Sequence, residues 1–438
     1  MKRTKSQSPE PSDTQTLPKD AKRARVVTDE QENNLYNCNL LDLSDDVLLN
    51  IFKFLSAFDV MALHLCCSRL NRLCCDRTLW RRVDLRSQYL PMEELQKYVK
   101  FMQPMTKFVA ISGNKRENEY RELQRSFLTT ISSTCENLEN LIIEDYDISR
   151  EKIQITDFPK TLHKLSLEGC QVHKTVPTPV RSYLCKIDVH MPNLTCLILT
   201  NCKWLNSHSF MAISKIPKLK EVRLNSCYGL SEEVAYASLA CRYGLKSLEI
   251  LDLSDTFVGD SVVSSFSHTS SLTEIYLECP SVGAVQHHPD DHPPQQEIVY
   301  VNLQNGPDVR LNHQPALENA NQNDLDRMMG ELVPYQISDR SMCALGLQNK
   351  ENNQDIVYNR DEIILFQGRP RSSTNPFLKK LVVRNYAGVT NQTLLHFTAN
   401  GPKLKYLDVT GTSVTREGLH NFKIHRPEVI LISSFDEM

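Results

Sequence analysis

Five residues of types that bind divalent metals lie close together in the second half of the sequence. His287, His288, Asp290, Asp291 and His292 bring imidazole and carboxylate groups into one short segment, and these are ligand types of zinc and other divalent cations. A metal site also needs rigid neighbours that orient its ligands. The neighbours here are prolines and glutamines, which are typical of loops. The sequence therefore predicts no metal and no cofactor at this segment.

Four thiols form a second candidate centre, at Cys66, Cys67, Cys74 and Cys75. Zinc knuckles place paired cysteines two to four residues apart, and this spacing is missing here. The thiols also lie among apolar residues with helical spacing, so packing explains them better than zinc does. The sequence has 14 cysteines without a framework of regular pairs, which favours a reducing environment and thiols that pack as small apolar groups.

No catalytic motif is found in the sequence. A glycine-rich phosphate loop, His-Glu-x-x-His and Gly-x-Ser-x-Gly are all missing, and the 14 glycines do not cluster. The 438 residues are 40% hydrophobic and 24% charged with a formal net charge of −3, which gives no general argument for nucleic acid or an anionic membrane as a partner. No apolar run approaches the roughly 20 residues that span a bilayer. We therefore expect a globular protein that is not an enzyme.

Residues 43–80 are the most informative segment, because they predict three short helices in close succession. Ser44 is an N-cap candidate, and Asp45 and Asp46 follow it at the positive end of the helix dipole. Asp59 is the candidate cap of the second helix. The first helix has too many apolar residues for one amphipathic stripe, so we expect it to be covered on more than one side, in part by a second protein.

This segment resembles an F-box. The motif residues are Leu43-Ser44, Ile51-Phe52 with Leu55, Asp59-Val60-Met61, Cys66-Cys67, Arg69-Leu70 and Leu79-Trp80. Ser44 replaces the usual proline and Leu70 the usual aromatic residue. The resemblance implies docking on a Skp-family adaptor through Leu43, Leu48, Ile51, Phe52, Leu55, Val60, Leu63, Cys67, Leu70 and Trp80. The alternative is a helical hairpin that only caps a repeat array.

From residue 138 onward the sequence repeats the spacing Leu-x-x-Leu-x-Leu. The repeats begin at Leu138, Leu162, Leu194, Leu219, Leu248, Leu272, Leu378 and Leu404. Cys170, Cys202 and Cys227 share one position after three of them. This spacing predicts leucine-rich repeats, in which each unit is a strand, a turn and a returning helix that cannot bury its apolar face alone. The cysteine-containing form resembles the repeats that commonly follow an F-box.

The predicted fold class is α/β, with a three-helix F-box followed by a leucine-rich-repeat solenoid that has a curved parallel sheet and outer helices. The predicted divisions are a disordered basic tail at 1–36, the F-box at 37–85, a linker or first degenerate repeats at 86–137, repeats at 138–280, a repeat with a long polar insertion at 281–376, and terminal repeats at 377–438. Within the insertion, Ile298, Val301 and Leu303 preserve the strand spacing, and residues 337–345 resemble the start of an outer helix.

The resemblance implies that the chain is the substrate-recognition subunit of an SCF-type ubiquitin ligase. The adaptor would join the chain to a cullin and its RING subunit, and the repeats would hold a protein substrate for ubiquitination and degradation. Residues between the inward leucines would point to the concave face. The predicted substrate contacts are Glu221, Arg223, Asp252, Glu274, Tyr276 and Glu278, which suggest a partly basic partner.

Two further expectations concern location and an alternative role. Lys22, Arg23 and Arg25 form a basic cluster of the kind that nuclear import receptors read, so we expect the chain in the nucleus and the cytoplasm. A solvated tail that happens to be basic is the alternative. The alternative function is a repeat scaffold that binds nuclear proteins without ubiquitin transfer, and a redox or metal enzyme would require bound zinc or a reactive thiol.

Overall fold

The computed structural model describes residues 39–113, 120–149, 153–172, 182–230, 234–280, 337–347, 355–359, 362–366 and 375–435. The chain forms two compact units, Met1–Phe54 and Leu55–Met438. The predicted basic tail with Lys22, Arg23 and Arg25, the segment from His287 to His292, and the strand candidates Ile298, Val301 and Leu303 lie outside the described residues.

The first unit contains a short 3₁₀ helix, Leu40–Asp42, and helix α1, Asp45–Phe52. The 3₁₀ helix begins with a capping box, because Asn39 Oδ1 accepts from the Leu41 N–H and Asp42 Oδ2 accepts from the Asn39 N–H. Ser44 is the N-cap of α1, as predicted, and Asp45 and Asp46 lie in its first turn. The helix thus begins where the sequence places it.

The second unit contains the remaining described helices. They are α2 (Ala57–His64), α3 (Ser68–Cys74), α4 (Met92–Val99), α5 (Arg125–Thr134), α6 (Ile187–His190), α7 (Ser209–Ile213), α8 (Val234–Tyr243), α9 (Asp260–Ser265), α10 (Asp339–Met342), α11 (Asn391–Asn400) and α12 (Arg416–His425). Further 3₁₀ turns are Leu79–Arg81, Arg86–Gln88, Ile155–Asp157 and Phe266–His268. Within the described residues, none of the helices has the length and apolar character needed to cross a bilayer.

Helix α2 corrects one detail of the sequence interpretation. Its N-cap is Ser56, whose hydroxyl accepts from the Asp59 N–H at 3.2 Å. Asp59 lies three residues later and accepts from the Ser56 N–H, so the two residues form a reciprocal capping box. The prediction of Asp59 as the N-cap was wrong by three residues, because serine and aspartate compete for that role wherever both are present.

The strands of the second unit form an eleven-stranded parallel sheet. They are β1 (Arg82–Asp84), β2 (Phe108–Ser112), β4 (Asn140–Glu144), β6 (Lys164–Ser166), β7 (Cys196–Ile198), β8 (Glu221–Arg223), β9 (Ile250–Asp252), β10 (Glu274–Glu278), β13 (Lys380–Arg384), β14 (Tyr406–Asp408) and β15 (Ile430–Ile432), paired in that order. Two-stranded pairs are formed by β3 (Arg121–Glu122) with β5 (Tyr146–Asp147), and by β11 (Asp355–Asn359) with β12 (Glu362–Phe366). The predicted α/β solenoid is confirmed.

The repeated leucines face the interior in register. Leu141 of β4 pairs with Leu165 of β6, which pairs with Leu197 of β7, and all three are fully buried. At about 25 cal/mol per Å² of buried apolar surface, this leucine ladder is the main favourable contribution to stacking. One repeat alone would leave that surface in water, so the units are stable only as a stack.

The predicted cysteines lie in the turn after the strand, where each thiol contacts the preceding repeat. The thiols of Cys170, Cys202 and Cys227 are completely buried. Each donates to the backbone carbonyl of a residue in the preceding unit, at 3.4, 3.1 and 2.9 Å respectively. A small side chain with a weak donor therefore suits a place that is both tight and polar.

The sequence analysis did not identify three strands of the sheet. Strand β1 lies in the predicted F-box at 37–85, β2 in the predicted linker or first degenerate repeats at 86–137, and β15 in the predicted terminal repeats at 377–438. In β1 the spacing is Trp80-x-x-Val83-x-Leu85, so a tryptophan holds the first leucine position. In β2 Thr106 holds that position ahead of Val109 and Ile111. In the final strand, β15, Ser433 replaces one inward apolar residue. These substitutions hide the repeat spacing from a search for leucine.

The long insertion leaves the stack continuous. Strands β10 and β13 are separated by about a hundred residues, yet they pair directly over five positions, from Glu274↔Lys380 to Glu278↔Arg384. No strand of the described sheet lies between them. The predicted helix start is confirmed, because Ser338 caps α10 and accepts from the Arg340 N–H.

A ladder of polar contacts joins the starts of successive outer helices across this insertion. Asp260, the first residue of α9, accepts from the N–H and hydroxyl of Ser338, the N-cap of α10. Asp339, the first residue of α10, accepts from the N–H and hydroxyl groups of both Thr390 and Thr393. Asn391 of α11 accepts from the N–H of Thr415, the N-cap of α12, and donates its amide N–H to the Thr415 hydroxyl. Helix α10 is therefore the outer helix of a true repeat.

This ladder predicts the cost of removing one member. Asp339→Ala should lower the free energy of unfolding by about 2–4 kcal/mol, because four donors at the start of α11 lose their acceptor. Glu417→Ala, in the first turn of α12 and exposed, is the matched control and should change it by less than about 0.5 kcal/mol. Urea unfolding followed by circular dichroism measures both. Equal stability of the two variants would show that α10 is not a member of the stack.

Candidate partner-binding surfaces

The first unit exposes apolar side chains on and just after α1. Phe54 is 91% exposed, and Val47 and Ile51 are 44% and 37% exposed. Leu43, just before the helix, is half-buried. Large apolar groups rarely stay in water at this density on a monomer. Ile51 and Leu43 are predicted adaptor contacts, whereas Val47 and Phe54 are accessible residues that the motif alone does not single out.

The second unit exposes a further apolar set along α2 and the turn that follows it. Leu65 is 79% exposed, and Leu55 is at the border between half-buried and exposed. Leu63 and Cys67, both predicted contacts, are half-buried. Exposure near the end of α2 follows from local geometry, because the helix ends at Leu65 and the chain turns into α3 within three residues.

The other five predicted adaptor contacts are interior residues. Leu48, Phe52, Val60, Leu70 and Trp80 are at most 5% exposed. Their side chains contribute to the core of the chain, and their contact with an adaptor stays a prediction. The motif gives residue types at fixed spacing, but it does not say which helix face is already covered within the chain. Docking on an adaptor remains a prediction, and it depends on the accessible residues.

Trp80 joins the helices of the second unit to the start of the sheet. Its indole N–H donates to the Cys74 carbonyl at 2.7 Å, and its ring stacks on Phe101 with centroids 4.7 Å apart. The Thr106 hydroxyl donates to the Trp80 carbonyl at 2.9 Å. Tyr98 of α4 contacts both Trp80 and Phe58 of α2 in edge-to-face geometry. Trp80 thereby ends the helical segment and begins the first repeat.

Two buried thiols illustrate how packing affects the cysteines of this chain. Burial, with the neighbouring thiols adding to it, raises the pKa of Cys74 to about 11, and burial raises the pKa of Cys227 to about 12. A nucleophilic or metal-binding cysteine needs the opposite shift, toward the thiolate. Within the part of the chain that the structure describes, no three histidine, cysteine, aspartate or glutamate side chains are grouped to hold a metal ion. This geometry favours packing roles.

The six predicted substrate contacts lie on three neighbouring strands of the sheet. They alternate with buried residues, so they form one surface with the equivalent residues of β13 and β14, which we call the open face. Register places Arg223 beside Asp252, and Asp252 beside Tyr276. Five of the six are half-buried, and Asp252 is 9% exposed. The sequence analysis thus located these residues on one surface.

The charges on the open face are largely paired with each other. Arg223 Nε donates to Glu221 at 2.5 Å, and its guanidinium lies 3.7 Å from Asp252. The Tyr276 hydroxyl donates to Glu274 at 2.6 Å. Burial and that carboxylate together raise the pKa of Tyr276, so the phenol stays protonated. The face is therefore less acidic than the composition of its strands suggests.

On the open face, the ammonium group of Lys380 contacts two aromatic rings. Its Nζ lies 4.9 Å from the centre of the Tyr276 ring and 4.7 Å from that of Tyr406. Such contacts orient an ammonium group while leaving its donors available to a partner. The sequence analysis missed Tyr406, although its position between Leu404 and Leu407 is equivalent to that of Lys380 in the strand before it.

Arg384 and Asp408 form the best-buried ion pair of the open face. The Asp408 side chain is completely buried and accepts from Arg384 Nε at 2.9 Å and Nη2 at 2.7 Å, and from the Thr410 N–H and hydroxyl. Burial alone would raise the pKa of Asp408. The bonds from Arg384 and Thr410 outweigh that effect and hold the pKa below its ordinary value.

Comparison with known proteins agrees with both parts of this architecture. The family model described as F-box-like matches residues 41–86. F-box/LRR-repeat protein 12 of Homo sapiens is 26% identical over 246 residues, which cover 54% of this chain and 71% of that protein. The protein of the same name from Mus musculus is 26% identical over 241 residues, with the same coverage. The chain is thus similar to F-box and leucine-rich-repeat proteins over about half of its length.

One solved structure gives a weaker likeness to this chain. An internalin from Listeria monocytogenes is 14% identical with a TM-score of 0.28, and the alignment covers 45% of this chain and 47% of the internalin. The F-box match begins before α1 and ends in the 3₁₀ turn after β1. It therefore includes the exposed apolar residues of both units as well as Trp80.

The Arg384–Asp408 pair predicts a pH dependence of stability. A carboxyl group with a lowered folded-state pKa stabilises the fold above its unfolded pKa, and this stability is lost as the pH falls through the folded value. Asp408→Asn should lower the free energy of unfolding at pH 7 by about 1–2 kcal/mol, a modest cost because Arg384 is 43% exposed and screened by water. Below about pH 4 the difference from the natural chain should shrink.

Thermal unfolding of both chains from pH 7 to pH 2 measures this difference. Glu249→Gln is the matched control, because its pair with Lys220 is exposed and should contribute little at any pH. A difference between the natural chain and Asp408→Asn that stays constant down to pH 2 would contradict the assignment of a lowered pKa to Asp408.

Proposed function

We propose that this chain is the substrate-recognition subunit of an SCF-type E3 ubiquitin ligase. The observation that carries the proposal is that the F-box-matched residues of the first unit keep the large apolar side chains of Ile51 and Phe54 exposed, where a second protein would cover them. Burying each such side chain contributes roughly 1.5–3 kcal/mol, enough in combination for stable docking. The proposed cover is a Skp-family adaptor.

In this proposal the chain accelerates ubiquitin transfer by position alone. The adaptor joins it to a cullin, whose RING subunit brings a charged ubiquitin-conjugating enzyme. A substrate held on the repeats keeps its lysines near the thioester at a high effective concentration. No group of this chain needs to react, which agrees with the raised pKa values of its buried thiols. The chemistry belongs to the partners.

We propose the open face as the substrate surface. Its fixed ion pairs give a rigid pattern of charge, and Tyr276 and Lys380 offer the aromatic and cationic groups that commonly anchor a partner. A substrate segment must complement both signs, rather than being simply basic, because Glu221 and Asp252 are engaged by Arg223. The same proposal places the protein in the nucleus and the cytoplasm, with an import receptor that binds Lys22, Arg23 and Arg25.

The first test concerns adaptor docking. Ile51→Asp with Phe54→Asp should reduce capture of the purified Skp-family adaptor at least about a hundredfold, because two charges would be forced into an apolar interface. Leu239→Asp is the matched control, since Leu239 is also a large exposed apolar residue, 43% accessible, on outer helix α8. Pull-down and calorimetry measure the affinity. Equal affinity of the three chains would refute docking through the F-box, and the scaffold alternative would then stand.

The second test concerns the open face. The double variant Tyr276→Ala with Lys380→Glu should bind the adaptor as the natural chain does. Cellular proteins whose abundance falls when the natural chain is expressed should keep their abundance when this variant is expressed. Lys246→Glu, an exposed substitution after α8, is the control and should act like the natural chain. Quantitative proteomics of the three cell lines measures the outcome. If the open-face variant depletes the same proteins as the natural chain, substrates bind elsewhere.

A further inference from the structure

The last repeat ends in a groove that no further unit of the described chain covers. Strand β15 pairs with β14 alone, so it is an edge of the sheet. The groove has a volume of about 470 Å³ and lies between α12 and the end of β15. Its lining residues are Arg416, Leu419, His420, Lys423, Leu431, Ser433 and Phe435. It contains three basic side chains and no acidic one.

The groove occupies the place where the next repeat would stack. Leu431 is in register with Leu407 and Leu381, which are completely buried because a following strand covers them. Leu431 is only half-buried, and Ile430 beside it is 57% exposed. End repeats of solenoids normally present a polar outer surface, so this apolar floor is unusual.

At this end of the described stack, the first residue of the outer helix changes from a hydrogen-bond acceptor to a donor. In three preceding repeats the first helical residue is Asp260, Asp339 or Asn391, and each accepts hydrogen bonds from the unit that follows. In the last repeat the same position is Arg416, which can only donate. A ligand stacked here must therefore supply acceptors, where an internal repeat supplies donors.

The basic groups of the groove contact no carboxylate in the described residues. Arg416 lies over the Phe435 ring at 5.1 Å, and Lys423 donates to the Val429 carbonyl at 2.6 Å. Both contacts fix the positions of these cations but do not neutralise them. Arg416 and Lys423, with the imidazole of His420 on the same helix, therefore form a basic wall beside an apolar floor.

The edge strand supplies backbone groups for pairing. The Ile430 N–H donates to Lys405 and the Ile432 carbonyl accepts from Val409, so both face β14. Because backbone groups alternate in direction along a strand, the N–H and C=O of Leu431 point to the open edge. An extended segment can pair there, as in strand addition to other sheet edges.

We propose that this end groove binds an extended acidic segment of another protein. The segment pairs with β15 as a twelfth strand, places apolar side chains on Leu431 and Phe435, and sets carboxylates against Arg416 and Lys423. This site is separate from the open face and does not depend on the ubiquitin-ligase proposal.

Binding of a defined peptide to the full-length chain tests the proposal. The probe is a fluorescein-labelled 12-residue peptide that repeats Asp-Val-Glu-Ile, followed by fluorescence anisotropy. Arg416→Glu should weaken its binding at least about tenfold, because an attractive charge becomes repulsive. Arg242→Glu, an exposed arginine at the end of α8, is the matched control and should bind the peptide as the natural chain does. His420→Glu is a second groove variant and should also weaken binding.

Other results would overturn the proposal. Equal affinity in Arg416→Glu and Arg242→Glu would show that the peptide binds elsewhere, provided that thermal unfolding shows both variants folded. A version of the peptide N-methylated at alternate residues should bind poorly, and full affinity would exclude strand pairing. A gain in affinity on deletion of residues 436–438 would make the chain's own acidic end the occupant. A dimer that Arg416→Glu dissociates in sedimentation would make a second copy the occupant.

Discussion

The fold depends on one constraint, which is that no repeat can bury its own apolar face. Each inward leucine is covered by the strands beside it, so every interior position is satisfied by its neighbours and the two ends of the stack are left over. At the start of the sheet, Trp80 and Phe101 stack and Tyr98 packs against Trp80, giving β1 a dense aromatic surrounding. At the other end, β15 has Leu431 and Ile430 at a partly open edge. The same constraint therefore explains why the two edge strands of the described sheet have different surroundings from the strands between them.

Trp80 shows how one residue can belong to two patterns. As the last residue of the F-box motif it suggests a partner contact, and as the first residue of Trp80-x-x-Val83-x-Leu85 it is the leading core position of a repeat. The structure decides for the core, because the indole is almost fully buried and its N–H is used by the Cys74 carbonyl. A motif that carries both meanings cannot be resolved by residue type, since burial depends on which elements pack together. The accessible apolar residues are instead those that neither pattern needs for packing, such as Phe54.

The sequence predicted most of the stack, because leucine spacing reports directly on which side chains face the interior. Leu165, Leu197 and Cys202 have the burial that their positions predict. The prediction failed where another residue could do the same work: Trp80 and Thr106 hold leucine positions, and Ser56 takes the cap expected at Asp59. It also could not foresee that Arg223 would pair with Glu221 and Asp252, because pairing depends on rotamers across neighbouring strands. The end groove was hidden for the same reason, as its basic wall combines residues four apart on a helix with the edge of a strand.

A stack of repeats depends little on the length of its connections, and this explains how it accommodates the long insertion. The free-energy cost of closing a flexible loop grows only with the logarithm of its length, so a long connection costs little more than a short one. What the stack does require is that the chain return in register. Asn375 provides this, because its side-chain amide donates to the carbonyls of Phe266 and Thr269 in the preceding unit. With Asp260 bound to Ser338 and β10 bound to β13, three separate contacts fix the returning chain. The repeat at 274–400 is thus defined by its contacts with its neighbours.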